Sequence, residues 1–122
     1  MFLPQNFLEI KKNENMNKSC VFCKIIAQEI PATIIDETDD VIVIKDINPQ
    51  APIHYLIIPK KHISAISQMQ PSDSLLAGSL LMVAQKLSEK SAETNQFRLV
   101  SNNGAQAGQV VFHIHIHFLA GY

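Results

Sequence analysis

The residues of this chain that could do chemistry are its five histidines. Three of them alternate in the string His113-Ile114-His115-Ile116-His117, and the other two are His54 and His62. Because a β-strand sends alternate residues to opposite faces, this spacing predicts three imidazoles along one side of a strand. Their ring nitrogens need polar partners, which a ligand, a metal or a hydrogen-bond network can supply. The alternatives without catalysis are a solvated edge strand and a part in a purely structural zinc site.

A row of imidazoles can supply a nucleophile, an orienting base and hydrogen-bond donors to a phosphate. The segment 102–109, just before the histidines, is rich in Gly and Ala and therefore permits a ligand to approach the backbone. We expect the five histidines to converge beside this loop. The chemistry that fits this arrangement best is phosphoryl or nucleotidyl transfer.

The pair Cys20-x-x-Cys23 is the second candidate site. Two cysteines cannot form a disulfide framework for a domain of this size, and in a cytosolic chain this spacing is more typical of metal binding or thiol chemistry. We therefore predict a cytoplasmic protein. A thiol oxidoreductase is an alternative, because thioredoxin-type enzymes also place such a pair at the start of a helix. That alternative leaves the five histidines unexplained.

Length and charge limit the other classes of function. The chain has 122 residues, 47% of them hydrophobic, which suits one domain with a core. Ten basic and 11 acidic residues give a net charge of -1, which argues against nucleic-acid binding. The apolar stretches 41–44 and 80–84 are far shorter than the roughly 20 residues of a membrane-spanning helix. Residues 1–15 lack a secretory-signal pattern. Because Met16 comes just before the first patterned segment, we predict a single domain over 16–122 and, at 1–15, a disordered extension or an upstream reading of the start.

Periodicity and turn residues predict the elements that position these side chains. Apolar residues at helical spacing predict a short helix over 20–28, capped by Ser19, and a long helix over 72–93, capped by Ser72 or Asp73. Segments rich in β-branched residues predict five strands, at 33–35, 41–47, 54–58, 96–101 and 110–119. The expected fold class is α+β, with a five-stranded antiparallel sheet and one long and one short helix.

The sequence resembles a known family. The string His-φ-His-φ-His-φ-φ after Gly108-Gln109 is the signature of the histidine triad (HIT) superfamily, and the resemblance runs from Cys20 to the end of the chain. The branch that it resembles is Hint. The further motifs that read like this branch, in the same order, are Phe22-Cys23-Lys24-Ile25-Ile26, Glu29-Ile30-Pro31-Ala32, Asp46-Ile47-Asn48-Pro49-Gln50-Ala51-Pro52, Pro59-Lys60-Lys61-His62-Ile63-Ser64 and Asn102-x-Gly104.

The resemblance implies a HIT-like homodimer in which two five-stranded sheets join. It also implies hydrolysis of purine nucleoside phosphoramidates or related nucleotidyl conjugates through a covalent intermediate, with an AMP-type purine nucleotide as ligand. His115 matches the nucleophile, because a neutral imidazole nitrogen can attack phosphorus while the resulting phosphoramidate stays labile. We expect its other nitrogen to bond to a backbone carbonyl.

The resemblance also assigns a nucleotide site. The residues that match phosphate ligands, through side chain or backbone, are His117, Asn102, Gly108, Gln109 and Val110. The residues that match the apolar base pocket are Val21, Phe22, Ile25, Ile44 and Ile47. Asp46 matches the acceptor of the ribose hydroxyls, and His54 matches a histidine near the phosphate. Ordinary core packing is the alternative for the apolar residues, and a satisfied loop histidine is the alternative for His54.

A zinc site is implied in the same way. Cys20 and Cys23, with His62 and His113, match the zinc-binding subset of the family, where two thiolates and two imidazoles make a closed tetrahedral site. Such a site is structural, so the zinc would anchor the N-terminal helix against the catalytic strand.

Val110 is a departure from the family pattern, since close relatives carry Ser or Thr there. Their hydroxyl can assist the leaving group, whereas valine cannot donate a hydrogen bond. The loss of one such donor lowers a rate on the order of a hundredfold, so we expect slow turnover with nucleotide binding intact. The alternative function is a purine nucleotide-binding or interaction module with weak or no catalysis.

Overall fold

The computed structural model describes residue 17 and residues 19–122, so the extension predicted at 1–15 lies outside the described residues. In chain order the elements are α1 (Val21–Ile26), β1 (Ile34–Glu37), β2 (Val41–Lys45), β3 (Ile53–Pro59), α2 (Ser74–Ser88), β4 (Phe97–Val100) and β5 (Ile116–Ala120). Short 3-10 turns lie in the connections at Ile66–Gln68, Pro71–Asp73 and Ala105–Ala107. All neighbouring strands are antiparallel, in the order β1-β2-β3-β5-β4, which confirms the predicted fold class.

Alternation along the strands divides the core into two layers, on opposite faces of the sheet. The layer beneath α2 is formed by Val41, Val43, Ile57, Ile63, Leu80, Val83, Ala84, Leu87, Ile114, Phe118 and Ala120. The layer beneath α1 is smaller and is formed by Cys20, Phe22, Cys23, Ile26, Ile42, Ile44, Leu56 and Ile58. Neighbours such as Val43 and Ile44 in β2 therefore point into different layers.

Strand β5 begins at Ile116, so the prediction of a strand over 110–119 is wrong for its first half. Residues 113–115 come before this strand and form no strand pairing. The Ile114 N–H there donates to the Ile63 carbonyl at 2.8 Å. The side chains still alternate, since Ile114 lies in the α2 layer while the rings of His113 and His115 contact Phe22 of α1. His113 and His115 thus precede the strand that contains His117.

The first helix and the first hairpin differ from prediction at their ends. Cys20, and not Ser19, is the cap of α1, because its Sγ accepts from the Cys23 N–H at 3.4 Å. Strand β1 continues to Glu37, two residues beyond its predicted end at residue 35, so only 38–40 connect it to β2. The Thr38 hydroxyl accepts there from the Val41 N–H at 3.0 Å.

The long helix α2 is also shorter than predicted. It begins at Ser74, because the Pro71–Asp73 turn precedes it and the Asp73 carboxylate accepts from the Gln70 N–H at 2.8 Å. The helix ends at Ser88, and the Thr94 hydroxyl beyond it donates a hydrogen bond to the Ser88 carbonyl at 3.4 Å. Neither of the helices in the described part of the chain is long and apolar enough to cross a membrane.

Candidate active site and metal centre

The five histidines form two adjoining groups on the α1 side of the sheet. In one group, the ring centroids of His62 and His113 are 4.9 Å apart. In the other, His54 and His117 are separated by 5.1 Å, and His115 lies 5.2 Å from His117. The histidines therefore converge, as the sequence predicts.

His115 is held in one tautomer by a backbone carbonyl. Its Nδ1 lies 2.8 Å from the carbonyl oxygen of His113, which can only accept, so Nδ1 carries the proton. The lone pair of the neutral ring is then on Nε2. The ring of Phe22 packs edge-on against one side of this imidazole, with the two centroids 5.1 Å apart. The buried His115 thus offers a nucleophilic nitrogen in a fixed orientation.

His54 connects the loop after β2 to His117. The Gln50 N–H donates to Nδ1 of His54 at 2.9 Å, so the proton of the neutral His54 ring is on Nε2. That Nε2 lies 2.8 Å from Nδ1 of His117 and 3.3 Å from Oδ2 of Asp46. Because His117 accepts at Nδ1, its own proton is on Nε2. His117 therefore presents an N–H donor beside His115.

The lowered pKa of His117 favours the neutral ring that this hydrogen-bond pattern requires. Burial lowers it below its usual value, and the nearby imidazoles of His115 and His54 lower it further, against an opposing effect of Asp46. A neutral His117 at pH 7 can accept the His54 proton at Nδ1 and still donate from Nε2.

The loop before the histidines is fixed from within by Gln109. Its buried side chain accepts from the Gly104 N–H at 2.8 Å and donates to the Ser64 carbonyl at 2.6 Å and the Val111 carbonyl at 3.0 Å. The loop backbone is therefore ordered without a ligand. Val110, the next residue, is held 84% exposed on its surface.

Asp46 is oriented by a backbone hydrogen bond, and Asn102 lies beside Gly108 of the loop. One carboxylate oxygen of Asp46 accepts from the Asn48 N–H at 2.7 Å, which orients the side chain at the end of β2. The Asn102 side chain borders Gly108, where an added Cβ would lie 3.8 Å from Asn102 Cγ. Gly108 has φ 95°, a left-handed conformation that favours glycine.

The five apolar residues matched to a base pocket are only partly together. Phe22 and Ile44 are buried in the layer beneath α1, and Ile25 packs against it. Val21 lies at the surface, and Ile47 is 92% exposed beside Asp46. Three of the five therefore also serve as core, and the other two are free to contact a ligand.

Four donor atoms meet beside α1 and could hold a metal. Sγ of Cys20 lies 3.4 Å from Nδ1 of His113, Sγ of Cys23 lies 3.2 Å from Nδ1 of His62, and the two Nδ1 atoms are 3.1 Å apart. All four atoms lie within 4.8 Å of one another. A tetrahedral zinc ion, with bonds of about 2.3 Å to sulfur and 2.0 Å to nitrogen, spaces its ligands roughly 3.3 to 3.8 Å apart. The donor set and its spacing fit Zn²⁺.

Hydrogen bonds and pKa values also suit these residues to a metal. Nε2 of His113 lies 2.7 Å from the Pro59 carbonyl and so carries the proton, which leaves a lone pair on Nδ1 among the sulfurs. Burial lowers the pKa of His62, and it lowers that of His113 to about 4, so both rings are neutral at pH 7. Burial also raises the pKa of the Cys23 thiol to about 11. A bound cation would displace that proton.

Several groups that shape these sites are absent from the sequence-based assignment. They are the carbonyl of Pro59, the N–H of Gln50, the carbonyl of Ser64, and the ring of Phe22 in its contact with His115. Three of these are backbone groups, which have no signature in a sequence. The ring of Phe22 could have been found, because it lies between the two cysteines in sequence.

Comparison with known proteins decides the family, because residues 27–122 match the HIT domain. The chain belongs to the HIT domain family. An uncharacterised HIT-like protein of Synechocystis is 48% identical over 106 residues, which cover 87% of this chain and 93% of that protein.

Solved HIT structures agree with this membership. A HIT family hydrolase from Legionella pneumophila superposes with a TM-score of 0.81 at 45% identity, covering 85% of this chain and 94% of that one. A Zn-bound histidine triad family protein from Mycobacterium smegmatis superposes with a TM-score of 0.75 at 33% identity, covering 85% and 76%. This HIT protein is therefore similar both to a hydrolase and to a zinc-containing relative.

Proposed function

We propose that this HIT protein hydrolyses purine nucleoside phosphoramidates or related nucleotidyl conjugates through a covalent nucleotidyl-His115 intermediate. The observation that carries the proposal is the 2.8 Å hydrogen bond from Nδ1 of His115 to the His113 carbonyl. It commits the neutral ring to a lone pair on Nε2, beside the N–H of His117.

The reaction proceeds in two displacements at phosphorus. Nε2 of His115 attacks, the bond from phosphorus to the leaving nitrogen breaks, and that nitrogen takes a proton from solvent and departs as the amine; the water that attacks next returns a proton to solvent. Water then attacks the same phosphorus, the bond to Nε2 breaks, and the nucleoside monophosphate leaves with the imidazole restored to its neutral form. Two easier steps replace one difficult step.

The phosphate and ribose are bound by groups that are already oriented. His117 donates from Nε2 to a phosphoryl oxygen, and Asn102 with the backbone of 108–110 adds further donors. Asp46, positioned by the Asn48 N–H, accepts from the ribose hydroxyls. The purine packs on the apolar residues of α1 and β2, with Ile47 closing over it from its exposed position.

Zn²⁺ is the cofactor that we assign to Cys20, Cys23, His62 and His113. Held by all four residues, it would supply structural cross-linking and would leave no position open for substrate. The free thiols of both cysteines fit a reducing compartment, so we place the protein in the cytoplasm.

We also propose a homodimer joined through β4. This strand lies at the edge of the sheet with β5 as its neighbour, and two of its side chains, Phe97 and Leu99, are exposed. Helix α2 adds exposed Leu81 and Met82. An open strand edge with apolar side chains is a template for pairing with a second copy.

A nucleotide-binding module without useful catalysis is the second candidate. It is favoured by Val110, whose exposed side chain offers the leaving group no donor. AMP binding with no hydrolysis of a phosphoramidate would support this candidate over the first.

The deciding experiment is turnover of adenosine 5'-phosphoramidate by the wild-type protein and by His115→Ala. We expect turnover in the wild type and none in the variant, with AMP binding retained in both as evidence of folding. Gln85→Ala, an exposed change on α2, is the control for surface mutation. Turnover retained in His115→Ala would overturn the nucleophile assignment.

A further inference from the structure

Helix α1 is shared by the candidate metal centre and the candidate nucleotide site. Cys20 caps it and Cys23 lies within it, while Phe22 and Ile25 between and beyond them are matched to the purine pocket. Helix α1 and its cap therefore carry two candidate metal ligands and, with Val21, three residues matched to the nucleotide site.

The ring of Phe22 joins the two sites directly. It meets His113, a candidate metal ligand, at a centroid distance of 5.9 Å and His115, the candidate nucleophile, at 5.1 Å, both edge-on. A shift of α1 would therefore displace Phe22 from the purine pocket and would at the same time remove its packing against His115.

Helix α1 cannot hold its own position, because an isolated helix of six residues is far below the length that is stable in water. Its buried side chains are Phe22, Cys23 and Ile26, with Cys20 at the cap, so two of these four are the thiol ligands. The Nδ1 atoms of His62 and His113 lie 3.1 Å apart beside those thiols. A bound cation would tie both thiols of α1 to these two rings, so its removal would take away two of the four anchors of α1.

A groove of about 310 Å³ gives the metal centre a route to solvent. It is lined by Cys20, His62, Val21, Val110 and Phe112 among others. Metal can therefore be loaded or withdrawn without opening the sheet core, which lies beneath α2 on the other face.

We propose that metal occupancy at Cys20, Cys23, His62 and His113 sets the affinity of this protein for its purine nucleotide, by fixing α1 as the wall of the nucleotide site. This inference rests on the proposed nucleotide-binding function. Coupling between two binding sites is reciprocal, so bound nucleotide tightens metal binding by the same factor. Couplings of this kind typically range from about 5-fold to 150-fold.

The test measures AMP affinity by calorimetry for the Zn²⁺-loaded protein and for the same protein stripped by a chelator. We expect AMP to bind about tenfold more weakly to the stripped form. A competing zinc indicator should report a matching increase in Zn²⁺ affinity when AMP is saturating. Equal AMP affinity in both forms would overturn the inference, whereas no AMP binding to the loaded form would overturn the nucleotide-binding proposal first and the inference with it.

Hydrogen exchange shows which part of the protein loosens when the metal is removed. We expect protection to be lost over 21–28 and retained in β2, β3 and β5. Loss of protection across the whole sheet would contradict a local role for the metal. Cys20→Ser should reproduce the weaker AMP binding of the stripped form, and Ser19→Ala, an exposed neighbour that is not a ligand, should bind AMP as the wild type does.

Discussion

Nε2 of His54 lies 2.8 Å from Nδ1 of His117, and this contact brings the loop after β2 into the candidate active site. The Gln50 N–H fixes the direction of the proton in that contact, because it occupies the other nitrogen of His54. A main-chain donor in the loop that also carries Asp46 thus determines which nitrogen of His117 can donate to a ligand.

Removing the His54 donor should slow catalysis. His54→Leu keeps most of the volume but leaves Nδ1 of His117 without its partner, so either tautomer of His117 can form. We expect kcat to fall about tenfold, the value of one hydrogen bond, with a smaller change in KM. His54→Gln restores an N–H donor and should recover most of the rate. Equal losses in both variants would contradict a donor role.

Sequence patterning identified the face of the sheet but not the tautomers. The alternation of His113, His115 and His117 is visible in the sequence, and the structure confirms that their rings share the α1 side. The pattern does not distinguish a strand from an extended segment without a ladder, so β5 was predicted to begin six residues before Ile116. The tautomers of His113 and His115 are set by backbone carbonyls. Every residue type has a backbone carbonyl, so the sequence does not show which one a given ring will meet.

The ends of elements were predicted poorly for a related reason. Ser19 is the residue type that favours a helix cap, yet Cys20 caps α1, with its Sγ buried 3.4 Å from Nδ1 of His113. The end of α2 depends on Thr94, six residues beyond Ser88, whose hydroxyl reaches back to the last carbonyl. Such long-range choices are not encoded in a local window of sequence.

Gln109 should be essential to the stability of the loop 102–109. Gln109→Ala removes its hydrogen bonds to Gly104, Ser64 and Val111 and leaves three main-chain groups without these partners. We expect the free energy of unfolding in urea to fall by about 3 kcal/mol. Gln106→Ala is the matched control, because it removes an exposed Gln from the same loop. Equal stability of the two variants would argue against an anchoring role.

Asp73 should make stability depend on acid pH. The Lys61 ammonium at 2.7 Å, and then the Gln70 N–H, hold the pKa of Asp73 below its usual 3.8. A lowered pKa in the folded state gives stabilisation that is present above pH 3.8 and is lost as pH falls through the folded-state pKa.

Asp73→Asn removes this pH dependence. We expect the wild type to exceed the variant in free energy of unfolding at pH 6, with the difference shrinking below pH 4. Urea titrations from pH 3 to pH 7 measure this difference in the free energy of unfolding. Both proteins are stripped of metal, so that protonation of the candidate metal ligands affects the two equally. Asp39→Asn, an exposed carboxylate in the β1–β2 turn, is the control. A difference that stays constant with pH would refute the ion-pair explanation.

The edge of β4 should control the oligomeric state. Leu99→Asp places a charge on the exposed side of this strand and should convert a dimer into a species of the monomer mass of 13.6 kDa, read by light scattering. Ile34→Asp makes the same change on β1, at the opposite edge of the sheet, and should leave the dimer intact. Dissociation by both variants, or by neither, would exclude β4 as the joining strand.

Val110 tests whether one missing donor limits the reaction. Val110→Thr replaces a methyl group with a hydroxyl of the same shape at a site that is 84% exposed, so the fold should not change. If the leaving group lacks a donor in the wild type, turnover of adenosine 5'-phosphoramidate should rise by about 10-fold to 100-fold, with AMP affinity unchanged. Val110→Ala shortens the side chain without adding a donor and should not be faster. A Thr variant no faster than the wild type would remove Val110 as the cause of slow turnover. If AMP still bound tightly to every variant, the nucleotide-binding module would then become the better description.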